Sequence, residues 1–305
     1  MSEILCKYWN GNYAVVMYDD GTKVRICPGD EFRPVTPESM DLKITNYCDR
    51  GCIMCHENST TCGRHGDILN LGFVDTMSPY TEVAIGGGNP LSHPDLVPFL
   101  RKLKDLRLIA NMTINQYHFM KSKEFVFDLY RNKLIHGLGI SLDGKPDEEF
   151  IKELRLYPNA VIHVIAGMVE ISDLELLKRQ GFKLLILGYK RFRRGYDYYD
   201  YHMDVVETKI AVLYDRLKEV LTWFDAVSFD NLAIEQLDVK RLMSDDEWEQ
   251  FYMGDDGTFT MYIDAVKEEF AVSSVSTERF PLEDNVMKMF KKVKEVSHEQ
   301  RAEKE

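Results

Sequence analysis

Two short runs rich in β-branched and aromatic residues, Tyr13 to Tyr18 and Thr22 to Ile26, flank Asp19-Asp20-Gly21, a pattern that predicts an N-terminal β-hairpin. Pro28, Pro34 and Pro37 mark the loop after it. From Met40 onward, short apolar runs alternate with stretches at helical spacing. Strands are predicted near 41–45, 81–86, 108–114, 137–142, 160–167 and 183–188, and helices at 94–105, 122–132, 147–156, 172–179 and 207–224, with 56–80 mostly loop. Such βα alternation predicts an α/β fold with a parallel sheet and helices outside it. Ala226 to Ile234 reads as a further strand that closes or edges the sheet. Residues 258–263 and 270–275 read as a later hairpin, and 291–305, almost entirely charged or polar, as a frayed helix or disordered tail. The domain reading is therefore 1–38 for the hairpin extension, 39–236 for the α/β unit, 237–290 for a small appendage and 291–305 for the tail.

Composition narrows the class. A chain of 305 residues, 45% hydrophobic and 29% charged, has enough apolar material for a full core. No apolar run approaches the roughly 18 residues of a membrane helix, and the opening Met1 to Tyr13 lacks the pattern of an export signal, so a cytoplasmic protein is expected. The formal net charge of −12 argues against general nucleic-acid binding.

Three of the six cysteines, Cys48, Cys52 and Cys55, fall on one loop directly after the strand at 41–45. In a reducing compartment that spacing points to metal or redox chemistry. Three thiolates can hold three irons of a cubane cluster and leave the fourth open, with Gly51 helping the backbone wrap. The same neighbourhood also allows a zinc site from Cys52, Cys55 and two of His56, Cys62 and His65. A second feature is Glu82-Val83-Ala84-Ile85 running into Gly86-Gly87-Gly88-Asn89-Pro90, a strand end where backbone and ligand approach closely. His136 and His163 read as packed histidines outside the chemistry.

The C-x3-C-x2-C spacing resembles the radical S-adenosylmethionine (radical SAM) superfamily over residues 40–235. The resemblance implies a partial (β/α)6 barrel, a [4Fe-4S] cluster on Cys48, Cys52 and Cys55, and S-adenosylmethionine (SAM) at the open iron. It implies reductive cleavage of SAM to a 5′-deoxyadenosyl radical that abstracts a substrate hydrogen, with an external reductant such as flavodoxin or ferredoxin. Met54 stands where the family usually has an aromatic residue beside the adenine. Gly86, Gly87, Gly88, Asn89 and Pro90 resemble the Gly-Gly-Glu-Pro element that binds the SAM amino group, with Asn89 in place of the acid. Ser141-Leu142-Asp143-Gly144 resembles the fourth-strand Ser-x-Asp-Gly element, which gives Ser141 a ribose hydroxyl and adds Asp143 to the cofactor contacts. Asn115 matches a third-strand asparagine, and Gly167 would let adenosine lie close to the fifth strand.

For the substrate, Lys190-Arg191-Phe192-Arg193-Arg194 puts four bases into five residues at the end of the strand at 183–188. Arg191, Arg193 and Arg194 are expected to hold a carboxylate or phosphate, which favours a peptide or small carboxylate substrate. The aromatic stretch from Tyr196 to His202 reads as a lid, a partner surface or packing over the rim. No cysteine follows Cys62, which excludes a C-terminal auxiliary cluster, and Cys6, Cys27 and Cys62 receive no role. A nucleoside-modifying enzyme, a glycyl-radical activase and a non-catalytic zinc-binding interaction protein stay open as alternatives.

Overall fold

The chain opens with three antiparallel strands, β1 (Ile4–Asn10), β2 (Tyr13–Tyr18) and β3 (Lys23–Ile26). The computed structural model describes residues 2–29 and 31–302. β2 and β3 join around Asp19-Asp20-Gly21, and β1 adds a strand that the hairpin reading omits; Gly11-Asn12, a two-residue turn with glycine first, is the signal for it. This small sheet sits under the start of the main one. Lys183 Nζ donates to the Asp20 carbonyl at 2.7 Å, and Lys23 pairs with Glu82. Buried Glu38 accepts from Tyr13 Oη at 2.6 Å and Arg25 Nε at 2.8 Å.

The main strands are β4 (Ser39–Thr45), β5 (Glu82–Gly87), β6 (Ile109–Asn115), β7 (Gly137–Ser141), β8 (Ala160–Ile165), β9 (Lys183–Leu187), β10 (Ala226–Phe229), β11 (Thr260–Asp264), β12 (Glu269–Ala271) and β13 (Phe280–Pro281). Among the described residues they form one sheet in the order β10-β9-β8-β7-β6-β5-β4-β11-β12-β13. β4 to β11 pair parallel, and β12 and β13 add antiparallel. Helices α1 (Leu96–Asp105), α2 (Gln116–Lys121), α3 (Lys123–Arg131), α4 (Glu148–Leu154), α5 (Ile171–Leu177) and α6 (Arg194–Val220) fill the crossovers, followed by α7 (Asn231–Gln236), α8 (Asp245–Phe251) and α9 (Val286–Ala302).

Period-two alternation gives the sheet two unlike faces. Leu42 and Ile44, Met112 and Ile114, Leu138 and Ile140, and Leu184 and Ile186 are buried in the large apolar cluster shared with the helices. Each contributes roughly 1.5–3 kcal/mol on burial. Their neighbours Asp41, Lys43, Thr113, Ser141 and His163 line cavities on the other face. His163 is therefore not a packed core residue: its imidazole occupies the space that Gly139, lacking a side chain, leaves open.

Four expectations change. The run 226–234 is strand only to Phe229, because the Asp230 carboxylate accepts from Ala233 N and starts α7. The C-terminal segment, expected as an appendage, joins the main sheet through β11, which lies against β4. The long helix begins at Arg194 and kinks at His202, so the aromatic stretch is its first turns, not a separate lid. The segment 291–305, expected as a frayed helix or a disordered tail, is helical through Ala302 as part of α9 and docks on the core: Val286, Met289, Phe290, Val293 and Val296 form one buried stripe, and residues 303–305 lie outside the described residues. Phe290 is 0% exposed. Phe290→Ala should lower stability by about 3–5 kcal/mol in urea unfolding; a change within about 0.5 kcal/mol would mean that α9 does not dock on the core.

Candidate active site

The cysteine loop and the glycine-rich strand end are built as one unit. Beyond β4 the chain loops out and returns, with Asn46 N donating to Arg64 O at 2.8 Å, Cys48 N to Thr60 O at 2.9 Å and Gly66 N to Ile44 O at 2.9 Å. Past β5, Gly88 N donates to Thr45 O at 2.8 Å and Asn89 N to Tyr47 O at 2.7 Å. A Cβ at Gly88 would stand 2.1 Å from Tyr47 O, and one at Gly87 would stand 2.4 Å from Thr45 O at a φ of +115°. Only glycine permits this approach.

Cys48, Cys52 and Cys55, all half-buried, line a cavity of about 300 Å³ at the carboxyl ends of the parallel strands. Met54, Gly86, Gly87, Gly88, Asn115, Ser141 and Asp143 line it too. The space above Gly86 is open for at least 4 Å where a side chain would project. Asp143 pairs with Arg50 of the cysteine loop, and the Asp143 backbone N–H donates to Gln116 Oε1 at 2.9 Å. Burial, with Asp143 and the other two cysteines adding to it, pushes the Cys52 thiol up to about 11. Burial raises Cys48 as well. A metal cation would reverse both shifts by stabilising the thiolates.

Several expected residues lie elsewhere. Asn89 Oδ1 accepts from Leu91 N at 3.2 Å as the cap of a 3-10 turn, and Asn89 and Pro90 do not line the cavity. Gly167 does not line it either; a Cβ there would meet Val206 at 2.5 Å, so this glycine admits α6. Arg191 pairs with Glu207 at 2.7 Å and stacks on Tyr199. Arg193 donates to the Glu57 carbonyl at 3.0 Å and Arg194 to the Ser59 carbonyl at 2.6 Å. These arginines pin the cysteine loop and α6, and the cation of the segment that faces the cavity is Lys190. For the zinc alternative, His65 Nδ1 lies 2.9 Å from Thr45 Oγ1 and its ring packs edge-on against His93, while Cys62 is exposed. Among the described residues the close set of ligand atoms is Cys48, Asp49 and His118, with His118 Nε2 2.6 Å from Asp49 Oδ1.

Beneath the loop lies a charged cluster that motif reading misses. Lys43, 2% exposed, sets Nζ 2.6 Å from Glu57 Oε2 and 3.0 Å from Asp264 Oδ2. Tyr262 Oη donates to Glu57 Oε1 at 3.1 Å. Burial opposes ionisation of Glu57, yet the charges around it hold its carboxyl below the ordinary value. His56 is itself pushed down to about 3 by burial and by Lys190, so near neutral pH Lys43 and Arg193 supply that stabilisation. The signal available in the sequence is a lysine flanked by Leu42 and Ile44 within a predicted strand.

With this geometry the chain can be compared with known proteins. The fold is similar to that of Streptococcus suis SuiB. The SuiB crystal structure bound to precursor peptide SuiA matches with a TM-score of 0.58 at 11% identity, covering 95% of this chain and 88% of that one. A second SuiB structure matches at 0.54 and 11% identity, over 96% and 87%. SuiB bound to S-adenosylmethionine matches at 0.50 and 14% identity, over 81% of this chain and 64% of that one. No family model matches the sequence, and no curated protein matches it significantly. At these identities the likeness to SuiB shows a shared fold; the chemistry must come from the residues.

Glu57→Ala tests the charged cluster, since it leaves Lys43 half-paired in a buried site. It should cost about 3–5 kcal/mol in chemical denaturation. A loss under about 1 kcal/mol would show the cluster to be as weak as a surface ion pair.

Proposed function

We propose that the chain is a radical SAM enzyme acting on a peptide. The observation that carries this reading is that Cys48, Cys52 and Cys55, the glycines Gly86 to Gly88, and Ser141 with Asp143 line one cavity, although they come from three separate stretches of sequence. Three thiols on one loop suit a [4Fe-4S] cluster with an open iron, and the space above Gly86 suits a close-lying cofactor. Bound there, the cluster would supply one electron to break the SAM sulfonium bond, yielding methionine and a 5′-deoxyadenosyl radical that takes a substrate hydrogen.

The chain's own part is to bind, orient and exclude water. Met54 offers a polarisable thioether to an adenine, and Ser141 a hydroxyl to a ribose. Because the Asn89 amide oxygen is committed to Leu91 N, the SAM ammonium would rely on backbone carbonyls of the glycine run. Arg50, paired with Asp143, ties the cysteine loop to the end of β7 and closes one side. The partial (β/α)6 barrel belongs to this reading, as do a cytoplasmic setting and a flavodoxin or ferredoxin donor. Among the described residues no helix is long and apolar enough to cross a membrane. A peptide substrate draws support from SuiB, whose structure holds a precursor peptide.

The triple variant Cys48→Ala, Cys52→Ala, Cys55→Ala should keep its far-ultraviolet circular dichroism but lose iron after anaerobic reconstitution, together with reductive SAM cleavage. The core does not depend on the cysteines. Iron content equal to the parent would overturn the assignment, and an unfolded variant would point to a structural metal instead.

A further inference from the structure

We propose that the substrate offers an organic cation, a primary ammonium or guanidinium, to a second cavity continuous with the cysteine-lined one. This inference rests on the reading of the first cavity as the SAM site. The second cavity is about 720 Å³, within the range of small-molecule sites. It shares Asp41, Thr113 and His163 with the first, so a group bound there lies beside whatever the first cavity holds.

Its lining has one dominant charge. Five carboxylates, on Asp41, Asp230, Glu235, Asp255 and Asp256, face a single cation, Lys190. His163 is held neutral above about pH 4 by its burial and adds no positive charge near neutrality. Some of the acids already have internal work: Asp230 Oδ1 accepts from Gly188 N and Ala233 N, and Asp256 Oδ1 from Asn231 Nδ2. The carboxylates of Asp41 and Glu235 accept no hydrogen bond among the described residues and remain for a ligand. Enclosure pushes the Asp41 carboxyl up to about 6, with Lys190 opposing and Asp256, Glu57 and Asp230 adding to it, so its ionised form gains from a bound cation.

Shape agrees with charge. Trp248 and Tyr252, stacked 4.6 Å apart at 14°, give the cavity an aromatic wall, and Leu185 and Ile234 extend its apolar surface. Such a wall buries the methylene stem of a lysine or arginine while the head reaches the acids. An anion would meet the opposite field, and Arg191, Arg193 and Arg194 are engaged elsewhere.

The test is calorimetric titration of the full chain with Nα-acetyl-lysine methylamide, the neutral Nα-acetyl-norleucine methylamide, and pentylamine. The lysine diamide should bind about tenfold or more tighter than its norleucine isostere, as a charge-assisted hydrogen bond requires. Binding of the diamide above pentylamine assigns a peptide side chain, and the reverse assigns a free amine. Asp41→Asn with Glu235→Gln should weaken the lysine diamide about tenfold, and Glu235→Gln alone, at an exposed helix position, measurably. Equal binding of the norleucine diamide, or unchanged affinity in both variants, overturns the proposal. So does loss of lysine-diamide binding at saturating SAM, because the acids would then serve the SAM ammonium. SAM titrated by itself reports separately on the first cavity, so failure of the SAM reading and failure of the cation site give different results.

Discussion

An ammonium buried in the middle of a parallel strand is the constraint on which the site is built. Isolated in that position, Lys43 would cost several kcal/mol of lost hydration. It is paired with two carboxylates from distant parts of the chain, Glu57 after the third cysteine and Asp264 at the end of β11. Meeting both requirements fixes geometry. The cysteine loop must fold back over β4, and β11 must lie beside that strand in the observed register, where Asp264 stands opposite Lys43. Once Glu57 is there, Tyr262 and Arg193 complete its coordination, and Arg193 brings the first turn of α6 onto the loop. Three segments far apart in sequence are thereby locked around one nitrogen.

The parts of this arrangement that could be read from sequence are the local ones. A cysteine spacing, a glycine run after a strand and βα alternation each declare themselves within a few residues, and the corresponding elements lie where their patterns put them. Pairings across long separations do not declare themselves. Period-two patterning makes 258–263 a strand but does not say that its neighbour is β4, and hence it reads as an appendage. The arginines after β9 look like an anion clamp because their acceptors, two backbone carbonyls of the cysteine loop and Glu207, leave no trace in composition. Asn89 resembles a ligand-binding acid in position, while its conformation as a turn cap decides where its oxygen goes. In α9 the two buried apolar residues after Lys291, Val293 and Val296, are spaced for one helical face yet diluted by charge, and that dilution masks a docked helix.

Charge is distributed by use. Although the chain carries an excess of acids, the basic cluster at 190–194 is spent largely on holding backbone and on Glu57, where a positive group satisfies buried acceptors. Carboxylates dominate the inner cavity, with Lys190 as their single counterweight. The result is a site whose two ends differ chemically: thiols and exposed backbone at the carboxyl ends of the strands, acids and aromatic surface further in. Such a gradient favours one orientation for a molecule with a single basic end, since reversing it would place an ammonium among thiols and an apolar end among carboxylates.

The width of that interior has an equally simple origin. On the face of the sheet away from the helices, β7 places Gly137 and Gly139, and the side chains of Asn111 and His163 from the flanking strands move into the vacated volume. A larger residue at Gly139 would overlap the imidazole at 2.4 Å and drive it toward the space that both cavities share. Glycine here acts by omission: it recesses a polar side chain into the wall and thereby leaves the two cavities joined. Polar and small residues on one face, with branched apolar residues on the other, thus serve two ends through the same alternation. One face packs the helices, and the other keeps the two cavities open to each other.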